Sequence, residues 1–130
     1  TCEPGKKVVM IGGGLVGCEA AYSDGEEWYE AMKAYVAANI EYTKEYVEQY
    51  LSGVSMTEHE GTYLVWLDCR SLGMDNERLR SFMIEEAGLG LNEGYTFGRS
   101  LSGYMRLNAA CPRCVLETAL NQLKEAVGRL

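Results

Sequence analysis

The chain has 130 residues, which is enough for one ordinary domain or for a compact domain with an appendage. Hydrophobic residues make up 47% and charged residues 24%, a globular rather than a disordered balance. Nineteen acidic residues against twelve basic ones give a net charge of −7, which argues against a nucleic-acid-binding surface. No apolar stretch approaches the ~20 residues that span a bilayer, and the N-terminus lacks a secretory layout, so we expect no membrane partner.

Cysteine usage predicts a cytoplasmic protein. A disulfide framework is typical of small secreted domains and usually has an even number of cysteines. This chain has an odd set, and we expect reduced thiols at Cys2, Cys18, Cys69, Cys111 and Cys114. A structural zinc site needs four ligands, and His59 is the only histidine, so we expect no metal.

The first twenty residues form a strand-and-turn segment of their own. An apolar run leads into glycines at positions 12, 13, 14 and 17, a match to the G-x-G-x-x-G dinucleotide fingerprint. The segment resembles pyridine-nucleotide oxidoreductases, and this alternative function implies NAD or FAD bound at Gly12, Gly14 and Gly17. The fingerprint also needs a second strand with an acidic residue about 20 positions further on. The chain has the middle of a long helix there, at residues 32–39.

A long amphipathic helix follows. Ser23 and Glu26 are spaced as a capping box, and Ser52-Gly53 ends the helix after Leu51. Residues at three- and four-residue spacing predict one buried stripe: Trp28, Met32, Tyr35, Val36, Ile40, Thr43, Val47 and Leu51.

The next segment is rich in strands. Residues 54–57 predict a short edge strand, and residues 62–67 form a near-continuous apolar run, as in a central strand buried on both faces. Residues 89–91 and 104–107 predict two further strands, separated by a polar, glycine-bearing loop over residues 92–103.

Two shorter helices complete the predicted elements. Asp75 is placed to cap a helix whose inner face carries Leu79, Phe82, Met83 and Ala87, and Gly88 ends it. Pro112 is placed to open a last helix with an inner face of Val115, Leu116, Ala119, Leu120, Leu123 and Val127. The predicted fold class is therefore α/β, a two-layer α+β domain with helices packed on a small, mostly antiparallel sheet.

Residues 21–130 resemble a family of known proteins over about five-sixths of the chain. The ordered motifs are Glu26-Glu27-Trp28, the run from Glu60 to Asp68, Leu91-Asn92-Glu93-Gly94 with Phe97-Gly98, Met105-Arg106-Leu107-Asn108 and Cys111-Pro112-Arg113. Together they are similar to the C-terminal small domain of class I/II aminotransferases that depend on pyridoxal phosphate (PLP), in the cystathionine β-lyase-like branch. The predicted domains are thus residues 1–20 and 21–130.

The resemblance implies a substrate site for an amino acid. In this family the arginine of the Arg-Leu-Asn strand, here Arg106, binds the substrate α-carboxylate, and a guanidinium suits a bidentate carboxylate contact. Asn92, Tyr95 and Phe97 fall in the loop beside the active-site mouth, although Arg99-Ser100-Leu101-Ser102 departs from the glycine-rich pattern usual there.

The resemblance also implies what this segment lacks. The Schiff-base lysine, the acid at the pyridine nitrogen and the phosphate cup lie in the family's large domain, so we expect no catalytic residue here and no PLP bound by this chain alone. A full-length relative is expected to cleave a C–S bond by β-elimination or to transaminate.

Three further expectations come from the sequence. The C-x-x-C at Cys111 and Cys114 is a weaker alternative, a thiol redox site with a lowered thiol pKa. Loss of a large domain exposes apolar surface, so we expect self-association. The switch of resemblance near residue 20 fits a natural fusion, a fragment or a joined chimera.

Overall fold

The computed structural model describes residues 25–130. The capping box at Ser23, the strand-and-turn segment with Gly12, Gly14 and Gly17, and the domain boundary after residue 20 lie outside the described residues. Residues 35–130 form one compact unit. No helix within 25–130 combines the length and apolarity needed to cross a bilayer.

The described fold consists of helices on a four-stranded antiparallel sheet, which confirms the predicted fold class. The sheet order is β1-β2-β4-β3. In chain order the elements are helix α1 (Glu26–Tyr50), strands β1 (Ser55–Met56) and β2 (Leu64–Asp68), helix α2 (Asn76–Ser81), strands β3 (Asn92–Glu93) and β4 (Tyr104–Asn108), and helix α3 (Arg113–Val127).

The two central strands alternate between a buried and an open face. Val65 lies opposite Leu107 and Leu67 opposite Met105, and all four side chains are buried. The intervening residues Leu64, Trp66 and Asp68 are only partly buried. The prediction that this strand is buried on both faces is therefore wrong. An apolar run in the sequence does not determine which residues the neighbouring strand places beside it. Here the register between β2 and β4 places the charged Arg106 beside Trp66.

The buried face of the sheet packs into one core with the helices. Helix α1 contributes Tyr46 and Val47 to this core, and the segment around α2 contributes Leu79, Phe82 and Met83. The core members from α3 are Leu116, Leu120, Leu123 and Ala126. Burying side chains of this size contributes roughly 1.5–3 kcal/mol each, so this layer stabilises the fold.

The predicted stripe on α1 holds only in its C-terminal half. Thr43, Val47 and Leu51 are buried, whereas Trp28 is 70% and Tyr35 47% exposed. The periodicity predicts an amphipathic helix, but it does not determine how many of its turns meet a partner. The inner face of α3 has one similar error, because Val115 is 53% exposed.

A buried asparagine ties α1 to the connection between β4 and α3. Asn39 is fully buried, and its Nδ2 donates to the carbonyl oxygens of Ala109 at 2.8 Å and Cys111 at 2.9 Å. Its Oδ1 accepts a 2.8 Å hydrogen bond from Nε of Arg113, whose Nη2 donates to the Ala38 carbonyl. Every polar group of the Asn39 side chain is therefore satisfied, as a buried amide requires.

The helix α2 begins as predicted, but the strand after it is displaced. Asp75 caps α2 by accepting a 2.8 Å hydrogen bond from the Arg78 backbone N–H. The predicted strand at residues 89–91 is instead two residues long, at Asn92–Glu93. Gly88 adopts a positive φ of 67°, and the Leu89 N–H donates to the Met83 carbonyl. Leu89 therefore closes the π-helical segment Phe82–Glu86 that continues α2, and its N–H is not free to join the sheet.

Candidate functional site

The candidate site is built around Arg106, in the middle of the open face of β4. Its partners across the sheet are Trp66 on β2 and Asn92 on β3. One terminal nitrogen, Nη2, donates a 3.1 Å hydrogen bond to Oδ1 of Asn92. The Nε atom is buried and has no hydrogen-bond partner among the described residues. A buried donor without an acceptor is costly, so this N–H is the part of the side chain that most needs an external acceptor.

Aromatic rings hold the guanidinium in place. The Arg106 guanidinium lies 4.2 Å from the ring centroid of Phe97 and 6.0 Å from that of Trp66. The two rings contact each other edge to face, with centroids 5.6 Å apart and an interplanar angle of 84°. A guanidinium is attracted to the face of an aromatic ring, so this pair restricts where the charge can lie.

The loop that carries Phe97 is fixed at two points, one at strand β4 and one at the start of helix α2. Gly94 is buried, and a Cβ there would lie 2.8 Å from the carbonyl oxygen of Tyr104 and would also collide with the Leu101 carbonyl. Only glycine permits this approach. Further along, Oδ1 of Asn76 accepts hydrogen bonds from the Ser102 hydroxyl and the Gly103 N–H. The loop thus places Phe97 over β4.

An open groove of about 480 Å³ begins at Arg106 and extends along β2. Trp66 and Leu64 form its apolar part, and the turn at residues 57–62 lines the rest of it. In this turn His59 Nε2 lies 3.2 Å from the Thr62 carbonyl oxygen, and Thr62 has a positive φ of 71°. The groove therefore joins a cationic donor, an apolar strip and a turn that carries Glu58 and Glu60.

An arginine–aspartate ion pair lies further along the open face of the sheet, where Asp68 of β2 is opposite Tyr104 of β4. Arg70 Nη2 is 2.6 Å from Oδ2 of Asp68, and the guanidinium lies over the Tyr104 ring at 4.9 Å. The hydrogen bonds from Arg70 lower the pKa of the Asp68 carboxyl below its usual value, against the opposing effect of partial burial. Arg70 is thus engaged by Asp68 and is a poorer ligand for an added anion than Arg106.

Three of the four predicted substrate-binding residues are brought together. Arg106 contacts Asn92 through a hydrogen bond and Phe97 through its ring. For Tyr95 the structure shows a ring that is 48% exposed. Sequence reasoning did not assign Trp66 or the turn at 57–62 to the site. No local pattern marked them, because the run over residues 62–67 is apolar almost throughout and its open face is set by the register with β4.

The Cys111 thiol does not have the lowered pKa that the weaker redox alternative requires. Cys69, Cys111 and Cys114 are free thiols. Burial raises the pKa of Cys111, whereas a thiol redox site requires a lowered one, so the redox expectation for Cys111 is wrong. Burial likewise raises the pKa of Cys69 to about 12. No group of three or more His, Cys, Asp and Glu residues within 25–130 is arranged to hold a metal ion.

Comparison with known proteins identifies the class to which this fold belongs. No family model matches the chain. The chain superposes on cystalysin from Treponema denticola, a structure that contains a pyridoxal 5′-phosphate cofactor, with a TM-score of 0.84 and 32% identity over 88% of this chain and 29% of that one. The fold is that of the C-terminal part of fold-type I PLP enzymes.

Sequence relatives define the branch. Protein MalY of Escherichia coli is 34% identical over 108 residues, and cystathionine β-lyase PatB of Bacillus subtilis is 31% identical over 109 residues. The matches cover 83% and 84% of this chain but 28% of each relative. The chain is homologous to the C-terminal part of the PLP-dependent aminotransferase/cystathionine β-lyase family. Nothing in these comparisons supports the oxidoreductase alternative or a bound NAD or FAD.

PLP does not fit the residues that the structure describes. The cofactor needs a lysine for its Schiff base. The groove at Arg106 contains no lysine. Lys33 is paired with Glu30, Lys44 is exposed, and Lys124 lies 4.3 Å from the ring centroid of Tyr50. Residues 25–130 therefore place Arg106 in a groove without the attachment point for the cofactor.

Proposed function

We propose that this chain supplies the substrate-carboxylate site of a PLP-dependent C–S lyase or aminotransferase that acts on amino acids. The observation that carries the proposal is the buried Nε of Arg106, which has no hydrogen-bond partner within residues 25–130, in a guanidinium that is otherwise held in place. The chain spans 28% of the length of MalY and PatB, and the chemistry at the cofactor belongs to the part of such a protein that carries the lysine.

The proposed roles follow from the contacts. Arg106 binds the α-carboxylate through its Nε–H and a terminal N–H, the geometry in which a guanidinium meets a carboxylate. Asn92 holds one hydrogen of the terminal nitrogen Nη2, and the Phe97 ring lies against the guanidinium. Tyr95, exposed on the same loop, is the fourth proposed substrate-binding residue. No residue of this set is proposed as catalytic.

The carboxylate itself is the ligand group to test. The full chain, labelled with ¹⁵N, is titrated with L-alanine and separately with L-alaninamide, which lacks the carboxylate. We expect the Arg106 Nε–H resonance to shift saturably with L-alanine only. Arg106→Gln is expected to weaken binding at least tenfold, because it removes a charge-assisted pair. Arg106→Lys should fall between the two, because it keeps the charge but loses the fork.

A neighbouring arginine provides the matched control. Arg99 is exposed on the same loop region, and Arg99→Gln removes the same charge. Unchanged binding in Arg99→Gln, together with the loss in Arg106→Gln, supports the proposal. Equal responses to the acid and the amide would contradict it, as would equal losses in the two variants.

We further propose a cytoplasmic role in amino-acid metabolism, a domain boundary between residues 20 and 21, and self-association of the isolated chain. Free thiols at Cys69, Cys111 and Cys114 support the cytoplasmic location.

Exposed rings such as Phe97 and Tyr63 support the self-association. A monomeric sedimentation profile at high concentration would count against self-association, and unfolding after deletion of residues 1–20 would count against the boundary.

A further inference from the structure

The groove suggests which amino acids the site prefers, provided that Arg106 binds the carboxylate as proposed above. We infer that the turn at residues 57–62 selects substrates whose side chain ends in a protonated amine. The turn carries Glu58 and Glu60 on the wall of the same groove that contains Arg106. A ligand held by its carboxylate at Arg106 can therefore extend along β2 towards two carboxylates.

The spacing along β2 fits a long side chain. Arg106 lies opposite Trp66, and Leu64 is two residues nearer to the turn. Two strand residues cover ~6.6 Å, so the apolar interval from Trp66 to Leu64 matches the length of a four-carbon stem. Trp66 and Leu64 line this interval, so the apolar stem of the ligand has an apolar surface to lie on.

The charges in the groove distinguish its two ends. Arg106 is the cation at one end, and the buried Nε without a partner points to an anionic group of the ligand there. At the other end Glu58 and Glu60 flank His59, whose Nε2 lies 3.2 Å from the Thr62 carbonyl oxygen. An ammonium at this end gains from two carboxylates, whereas a carboxylate is repelled by them.

Three ligands with the same number of side-chain carbons separate these contributions. L-Lysine, L-norleucine and L-2-aminoadipate share the α-carboxylate and differ in the end group, which is cationic, neutral or anionic. Binding to the full chain is measured by NMR titration. We expect L-lysine to bind about threefold more tightly than L-norleucine, as for exposed charge pairs, and L-2-aminoadipate to bind more weakly than both.

Variants assign the effect to the turn. Glu58→Gln combined with Glu60→Gln should bring the three dissociation constants together and leave that of L-norleucine unchanged. Glu41→Gln combined with Glu48→Gln, two exposed positions of α1, changes the net charge equally and should preserve the order. Dispersed amide spectra confirm that each variant is folded.

Each outcome decides a different claim. Equal affinities for the three ligands in the unmodified chain, or an unchanged order in the Glu58/Glu60 variant, overturn the inference about the turn. If Arg106→Gln then still weakens all three ligands, the proposed carboxylate site stands. If Arg106→Gln changes nothing, or if no ligand binds saturably, the proposed function and the inference both fall.

Discussion

The two faces of the central strand pair have opposite properties although they alternate residue by residue. Val65 and Leu67 are buried at 0% exposure, while Trp66 between them lies on a face that carries a charged guanidinium. The buried face packs against the helices and stabilises the fold. The open face carries side chains that are braced by one another and still lack an acceptor at Arg106 Nε. Because successive side chains of a strand point to opposite faces, β2 contributes alternate residues to the core and to the candidate site.

The largest expected effect distinguishes the faces by stability. Leu67→Ala removes a fully buried side chain and should lower the free energy of unfolding by about 3 kcal/mol, because it leaves a cavity. Leu64→Ala, on the open face of the same strand, should lower it by about 1.5 kcal/mol or less. Urea denaturation measures both. Equal losses for the two leucines would contradict the assignment of faces.

A change on the open face should affect binding more than stability. Phe97→Ala removes the ring under the Arg106 guanidinium and should weaken binding of L-alanine about threefold, the effect of one exposed cation–π contact. The free energy of unfolding should fall by only about 1 kcal/mol, because the ring is half exposed. Val115→Ala, which shortens an exposed apolar residue of α3, should leave the affinity unchanged. An unaltered affinity for L-alanine in Phe97→Ala would contradict the role of this ring in binding.

The smallest expected effect concerns pH. Because Arg70 lowers the pKa of Asp68 in the folded chain, the pair contributes stability above the ordinary aspartate pKa of about 4. This contribution is lost as the pH falls through the folded pKa. Asp68→Asn should therefore be less stable than the unmodified chain at pH 7, and the difference should shrink towards pH 3. Unfolding measured across this range tests the sign, and a constant or growing difference would contradict it.

Sequence alone predicted the elements whose signal is local. The β-forming run before Asp68, the cap at Asp75 and the apolar period of α3 each depend on near neighbours in the chain. The resemblance placed Arg106, Asn92 and Phe97 in one site, and the structure brings these three side chains together.

The features that sequence did not predict depend on distant partners. The open face of β2 is set by its register with β4, about forty residues later, which no local pattern contains. Asn39 is a polar residue in a helix, and its sequence position predicts exposure to solvent. It is buried instead, because its side chain donates to the carbonyl oxygens of Ala109 and Cys111, about seventy residues later. The unpartnered Nε of Arg106 likewise depends on what three strands place around it.

The central claim is that an amino-acid carboxylate binds at Arg106. A crystal structure of the 130-residue chain grown with saturating L-alanine tests it most directly. We expect the two carboxylate oxygens within about 3 Å of Nε and a terminal nitrogen of Arg106, with the Asn92 hydrogen bond and the Phe97 contact retained. Arg106 Nε bonded to a protein acceptor, with the carboxylate elsewhere or absent, would contradict the claim.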